Sequence, residues 1–224
     1  MEPFFIAVVI ALVLGAIVYG CLASEKRRKE LSAWAVSKGL TFSSAKDSGM
    51  ANYFTEFKCL HQGHSRYAYN IMRGDWRGQP VLLFDYHYAT GSGKNRSDHY
   101  FSAAIATAPY PLQPLMIRPE GLFDKITEFF GWDDIDFESA EFSRKFYVAS
   151  PDRKWAYDVI HQRMMDYLLA SERYTVQFDL CSIIAARSKQ FGPREFEAAA
   201  EFIHGILQRM PEYVVRRQKG LSEP

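Results

Sequence analysis

A chain of 224 residues with 27 Lys and Arg against 26 Asp and Glu carries almost no net charge. That balance excludes a general nucleic-acid binder, which shows a strong basic excess, and the length fits one domain or two closely packed halves. Three widely spaced cysteines, Cys21, Cys59 and Cys181, cannot build a disulfide framework and fit a reducing compartment.

The first element is an anchor. PFFIAVVIALVLGAIVYGCLA, residues 3–23, contains no charge. As a helix, Phe4 to Leu22 is about 28 Å long at roughly 1.5 Å per residue, enough to span a hydrocarbon core of about 30 Å. Pro3 suits the first turn, where a missing N–H costs nothing. SEKRRKE follows, with Lys26, Arg27, Arg28 and Lys29 in succession. Basic residues stay on the cytoplasmic side, so the N-terminus is expected outside and residues 24–224 inside. VYGC (18–21) resembles a lipoprotein cleavage box, which would lipidate Cys21 and put the domain outside. Met1-Glu2 supplies no basic n-region, which opposes both that reading and a cleaved signal peptide. Lys26, Arg27, Arg28 and Lys29 are the candidate membrane-surface residues, each attracted to anionic headgroups by about 1 kcal/mol.

Residues 24–39 continue as a basic helical stalk, with Leu31, Trp34 and Ala35 on one face and Gly39 as its stop. Residues 40–42 open a strand, and 52–60 are ambiguous between helix and strand. From Arg66 the pattern is β. Two extended runs, 66–73 and 80–89, flank the turn residues GDWRG. In the second run Val81, Leu83, Asp85 and His87 point one way, and Leu82, Phe84, Tyr86 and Tyr88 the other. Further runs at 99–108 and 112–119 extend an antiparallel meander, and the prolines of the last suit an edge. PEGLFDKITEFFG (119–131) reads as a short helix and 146–150 as a strand. A helix starts at Pro151 with Tyr157, Ile160, Met164, Tyr167 and Leu168 on one face. RYTVQFDL and CSIIAAR read as a hairpin-like pair. The last long helix places Phe196, Ala199, Ala200, Ile203, Leu207 and Met210 together, and 211–224 is a mobile tail. The expected architecture is α+β: a transmembrane helix (1–23), the stalk (24–39), and a domain (40–210) with an antiparallel sheet and about three helices.

LSAWAVSKGLTF, VLLFDYHYATGSGK, RPEGLFDKI, DDIDF and EFSRKFYVASPD, between residues 31 and 152, resemble a group of uncharacterised bacterial single-pass membrane-anchored proteins. Residues 142–187 also resemble the C-terminal part of a second bacterial domain of unknown function. The resemblance implies a folded domain with a recurring pattern and carries no activity and no catalytic residue with it.

Chemical motifs are few. ATGSGKN (89–95) has the glycine-lysine ending of a phosphate loop, but Tyr88 stands where the first glycine belongs and Asn95 where the Ser or Thr belongs. A strand rather than a helix follows, so no helix N-terminus awaits a phosphate; a hairpin loop explains the glycines, with Lys94 and Arg96 free to attract an anion. Cys59, His61 and His64, with His87 and His99 on neighbouring strands, match no zinc spacing. Asp133, Asp134 and Asp136 pair carboxylates as a Mg²⁺ or acid–base site would, but their place after a helix end suits turns and caps. No cofactor or metal is expected. The leading expectation is a non-enzymatic binding or assembly module at the cytoplasmic face of the inner membrane, with the lipid bilayer and a further membrane or cytoplasmic protein as partners. The alternative is a membrane-tethered enzyme acting on a small anionic or lipid-derived substrate through Lys94, Arg96 or Asp133–Asp136.

Overall fold

The computed structural model describes residues 2–120 and 132–221. α1 runs unbroken from Glu2 to Ser37. Its apolar part has a mean hydropathy of 2.2 and is not buried against the protein, as a lipid-facing helix requires. The C-terminus closes in a Schellman arrangement: Leu40 N donates to Ala35 O (2.8 Å), Gly39 N donates to Val36 O (3.0 Å), and Gly39 takes the required positive φ, +73°.

The domain is built on one antiparallel sheet, β1 Thr41–Ser43, β2 His64–Trp76, β3 Gln79–Thr90, β4 Ser97–Pro119, β5 Phe146–Ala149 and β6 Thr175–Arg187. β1 to β4 lie side by side in chain order, and both β5 and β6 pair with β4. The remaining helices are α2 Met50–Tyr53, α3 Ala140–Ser143, α4 Arg153–Val159, α5 Gln162–Ala170, α6 Pro193–Gln208 and α7 Glu212–Gln218. The α+β class holds, with more helices among the described residues than the three expected. Period-two alternation sorts the strands onto two faces. Val81, Leu83, Ala104, Ala106, Ile183 and Ala185 pack under α1 and the later helices. Phe84, Tyr86, Ala103, Ile105, Ile184 and Ala186 pack under Met50, Phe57 and Leu60. α6 buries the face expected of it, including Phe196, Ala199, Ala200, Ile203 and Leu207. The ambiguous stretch 52–60 resolves into the end of α2 and a 3₁₀ turn at Lys58–His61.

Four expectations need correction. The runs at 99–108 and 112–119 are one strand, β4, and the second is no edge, because Met116 and Ile117 pair with β5 on one side and β6 on the other. Pro109, Pro111 and Pro114 lack N–H groups, and the β4–β6 register breaks between Thr107 and Leu112 and again before Leu115 to accommodate them. The residues read as a hairpin pair at 173–187 are likewise the single strand β6, interrupted at Leu180, whose φ is +50°. The helix from Pro151 is two helices, capped at the start by Asp152, whose side chain accepts from Trp155 N at 3.1 Å, and parted at Ile160 and His161. Residues 211–224 are not a loose tail throughout: α7 lies within them and Val214 is fully buried. Of the helix expected at 119–131, Pro119 ends β4, and 121–131 lie outside the described residues.

Leu180 offers a direct test of strain. Its side chain is 60% exposed, so it gains little from burial, while a left-handed conformation costs a non-glycine residue about 1 kcal/mol. Asn tolerates that region better, so Leu180→Asn is expected to raise stability by up to about 1 kcal/mol in a denaturant melt. A clear loss of stability would show that the Leu180 side chain has a role in packing.

Candidate functional site

α1 does not end where the apolar run ends but packs along the domain. Leu31 and Ala35 are fully buried, the Trp34 ring lies 6.3 Å from that of Trp76, and Lys38 pairs with Glu197 of α6 at 2.7 Å. One helical turn before Leu31, Arg27 turns inward. Its Nη1 and Nη2 donate to Asp85 Oδ2 and Oδ1 at 2.7 and 2.8 Å. Its Nε and Nη2 also donate to the Phe191 carbonyl at 3.1 and 2.6 Å. Asp85, in the middle of β3, is completely buried. Asn70 Nδ2 (2.8 Å) and Ser102 Oγ (2.5 Å) donate to the same carboxylate, and Ser102 Oγ accepts from Phe191 N at 2.9 Å. Asn70 reaches Asp85 from a break in the β2–β3 register after Tyr69, with φ +49°. Asn adopts that conformation at little cost, and a bulge re-aims a side chain. The guanidinium fork plus two further donors is what a buried carboxylate needs to offset its desolvation.

Arg27, expected at the membrane surface, instead turns away from solvent and clamps the stalk to the sheet. Lys26, Arg28 and Lys29 do face solvent, paired along the helix with Glu30 and Glu25. The hydrogen bond from Lys29, then the charges of Lys29 and Arg28, hold the Glu25 carboxyl below the usual range. The clamp left one signal in the sequence: Asp85 occupies an inward position of an alternating strand, and a buried carboxylate requires a partner. Nothing local to residue 27 says that it, rather than Arg28, is that partner.

A second polar cluster lies further along β3. His87, 3% exposed, faces an oxygen at each ring nitrogen, Ser65 O at 3.0 Å from Nδ1 and Asp98 Oδ1 at 2.8 Å from Nε2. The ring stacks on Tyr67 at 4.5 Å and packs against Tyr100 at 4.9 Å, and Lys46 Nζ sits 4.1 Å above the Tyr67 ring. Hydrogen bonds from Arg96 and then His87 bring the Asp98 carboxyl down to about 2. A carboxyl with a depressed folded value stabilises the fold above its unfolded value near 3.9, and that contribution is lost as pH falls through about 2. Arg96→Ala is expected to move the Asp98 titration toward the ordinary carboxylate range, read by NMR of the side-chain carboxyl; an unmoved titration would leave His87 as the sole cause.

Lys94 sits in the β3–β4 hairpin, where Gly93–Asn95 forms one 3₁₀ turn before β4 begins. Gly91 has φ +68°, and a Cβ there would meet Asn95 O at 2.2 Å, so the glycine serves a tight turn rather than a phosphate. Asp134 Oδ1 accepts from Ile135 N (2.9 Å) and Val148 N (3.1 Å), the local role expected of an acid in a turn. Arg96 precedes the first residue of β4, whereas Asp134 lies beside β5, which pairs with the last residues of β4. The two sets stand at opposite ends of that strand and do not meet. Cys59 is buried, His61 Nε2 bonds Phe54 O, His64 Nε2 bonds Gly91 O and His99 Nε2 bonds Thr90 Oγ1; among the described residues no three His, Cys, Asp or Glu converge as metal ligands would.

An open groove of about 580 Å³ separates α1 from the sheet where the apolar run ends. Ala16, Gly20, Ser24 and Arg28 line one side, and Ser44, Tyr69 and Asn70 the other. Burial first, and the Asp85 charge second, push the Tyr69 phenol up, so it stays neutral and accepts from Gln190 at 2.7 Å.

No family model and no curated protein matches the chain. Among solved structures it is similar to the mycobacterial trehalose monomycolate transport factor A, TtfA, with a TM-score of 0.60 over 83% of this chain and 96% of that one. The chain shares TtfA's fold. At 13% identity the likeness is one of fold alone.

Proposed function

We propose that the protein is a non-enzymatic binding or assembly module carried on a single membrane span, with its domain held against the cytoplasmic face of the bacterial inner membrane. The observation that supports this reading is the clamp between Arg27 and the buried Asp85. A helix long and apolar enough to cross a bilayer continues into the core of the domain and is bolted there. No hinge separates membrane from domain, so the domain presents one fixed face to the bilayer and another to whatever shares the membrane. That suits a platform for another protein better than a catalyst that must reach a substrate. The chemical candidates of the sequence support it too, since Lys94 and Arg96 stand apart from Asp133–Asp136. The fold is shared with a protein described as a transport factor, which agrees with an accessory part in a membrane process.

Two measurements test this. A reporter active only in the cytoplasm, fused after Pro224, is expected to work, because the basic residues after the span keep that side in; activity of a periplasm-only reporter at the same junction would overturn the orientation. Crosslinking in cells, followed by detergent purification of the full chain, is expected to trap a specific membrane protein, and Arg27→Ala is expected to reduce that yield while the chain stays in the membrane. A chain that crosslinks to nothing and turns over phospholipid would overturn the module in favour of an enzyme.

A further inference from the structure

The order of contacts along α1 fixes which end of the sheet faces the bilayer. Moving away from the apolar run, α1 meets Asp85 at Arg27, Trp76 at Trp34, and Trp76 again at Lys38, whose Nζ lies 5.6 Å from that ring. Trp76 pairs with Gln79 at the tip of the β2–β3 hairpin. That hairpin therefore points away from the membrane. The opposite end of the same strands points toward it: His87, Thr90, the 91–96 loop and the first residues of β4.

The distances are sufficient for contact. Arg27 back to Leu22, the last large apolar residue of the run, is five residues of helix, about 7.5 Å. Asp85 on to Thr90 is five residues of strand, about 17 Å. Even a strand inclined by as much as 45° to the helix advances about 12 Å along it at that rise, which suffices to bring the loop level with Leu22. The groove agrees, since Ser44 and Tyr69 of the domain face Ala16 and Gly20 of the span.

The composition of this end suits that position. Lys46, Lys94 and Arg96 are all exposed. Lys94 makes no ion pair among the described residues, and Lys46 lies over Tyr67. Of the nearby acids, Asp98 pairs with Arg96, and Asp47 lies 3.8 Å from Arg73. Tyr67 lies beneath Lys46 and beside Tyr69, and Tyr67 and Tyr100 both pack on His87; Tyr100 is 47% exposed, and Tyr19 of α1 is 75% exposed near the end of the span. Tyrosines with basic residues are the side chains that settle at a membrane interface.

We infer that the sheet end formed by the 91–96 loop, Lys46, Tyr67 and Tyr100 is a second membrane contact, which docks on anionic phospholipid headgroups beside the span. This rests on the reading of α1 as a membrane anchor. With the Arg27 clamp it gives the domain two points of attachment and so a defined attitude on the bilayer. Each cation contributes about fivefold to the docking equilibrium, the ratio that corresponds to roughly 1 kcal/mol per basic residue at an anionic surface.

The test uses the full chain with Cys21→Ser and Cys181→Ser, reconstituted into vesicles of phosphatidylcholine with or without phosphatidylglycerol and containing brominated lipid. A quenchable probe is attached at Ser92→Cys in the loop, at Val36→Cys at the far end of α1, or at Leu14→Cys within the span. With phosphatidylglycerol, quenching at position 92 is expected to exceed that at 36 at least about twofold, and to drop when Lys94→Ala and Arg96→Ala are combined, following the charge dependence of surface binding. Quenching at 92 no greater than at 36, while 14 is quenched, would show that this end stands off the bilayer and would leave the anchor intact. Equal quenching at 92 with and without phosphatidylglycerol would overturn the recognition of anionic lipid. An unquenched probe at 14 would overturn the anchor, and the contact with it.

Discussion

Arg27→Ala is expected to destabilise the domain by about 3–5 kcal/mol, the usual cost of removing one partner of a buried ion pair. The reason lies in Asp85, which is completely buried and cannot move to water. Without the guanidinium it keeps the Asn70 and Ser102 donors but no counter-charge, and the Phe191 carbonyl loses its donors from Arg27. For a domain of this size the loss corresponds to a fall in Tm of roughly 10 °C, measured on a chain starting at Ser24 so that no detergent intervenes. Arg27→Lys is expected to fall between, because an ammonium keeps the charge but not the fork. The double replacement Arg27→Met with Asp85→Leu is expected to recover most of the stability, since an apolar pair leaves no charge to satisfy. A loss below about 1 kcal/mol for Arg27→Ala would place the pair with exposed salt bridges and remove the clamp from the account.

The second large effect concerns where the domain begins. A chain from Ser24 to Pro224 is expected to be soluble and to melt cooperatively, whereas one from Leu40 to Pro224 is expected to be molten or to aggregate. The shorter chain loses Leu31 and Ala35, both fully buried, and Trp34, which packs against Trp76. Truncating a buried leucine alone costs about 2–5 kcal/mol. Adding the orphaned Asp85 brings the total to the order of a whole domain's stability, about 5–15 kcal/mol. Circular dichroism in the near ultraviolet and dye binding would separate the cases. If the Leu40 chain melts cooperatively within a few degrees of the Ser24 chain, the stalk is only a tether.

What the linear sequence determined were the features written in neighbouring residues. The uncharged run from Pro3 to Ala23 forms a helix long and apolar enough to cross a bilayer, because every backbone group is then satisfied within the segment. The alternation from Val81 to Tyr88 divided the two faces of β3 correctly, because side chains of a strand must alternate. The stripe of α6 and the stop at Gly39 followed from the 3.6-residue period and from glycine's positive φ, and the missing helix after Lys94 ruled against a phosphate loop. Tertiary structure alone decided the rest, because the deciding partner is distant in the chain. The interruptions at Pro109–Pro114 and at Leu180 look like strand ends when each is read alone. They are matched breaks in two long strands that face each other, with Leu112 opposite Leu180. Arg27 sits in a row of four basic residues that local rules treat alike. Only the placement of Asp85, 58 positions further on, singles it out, since a buried carboxylate draws in the one guanidinium that the helix aims at it.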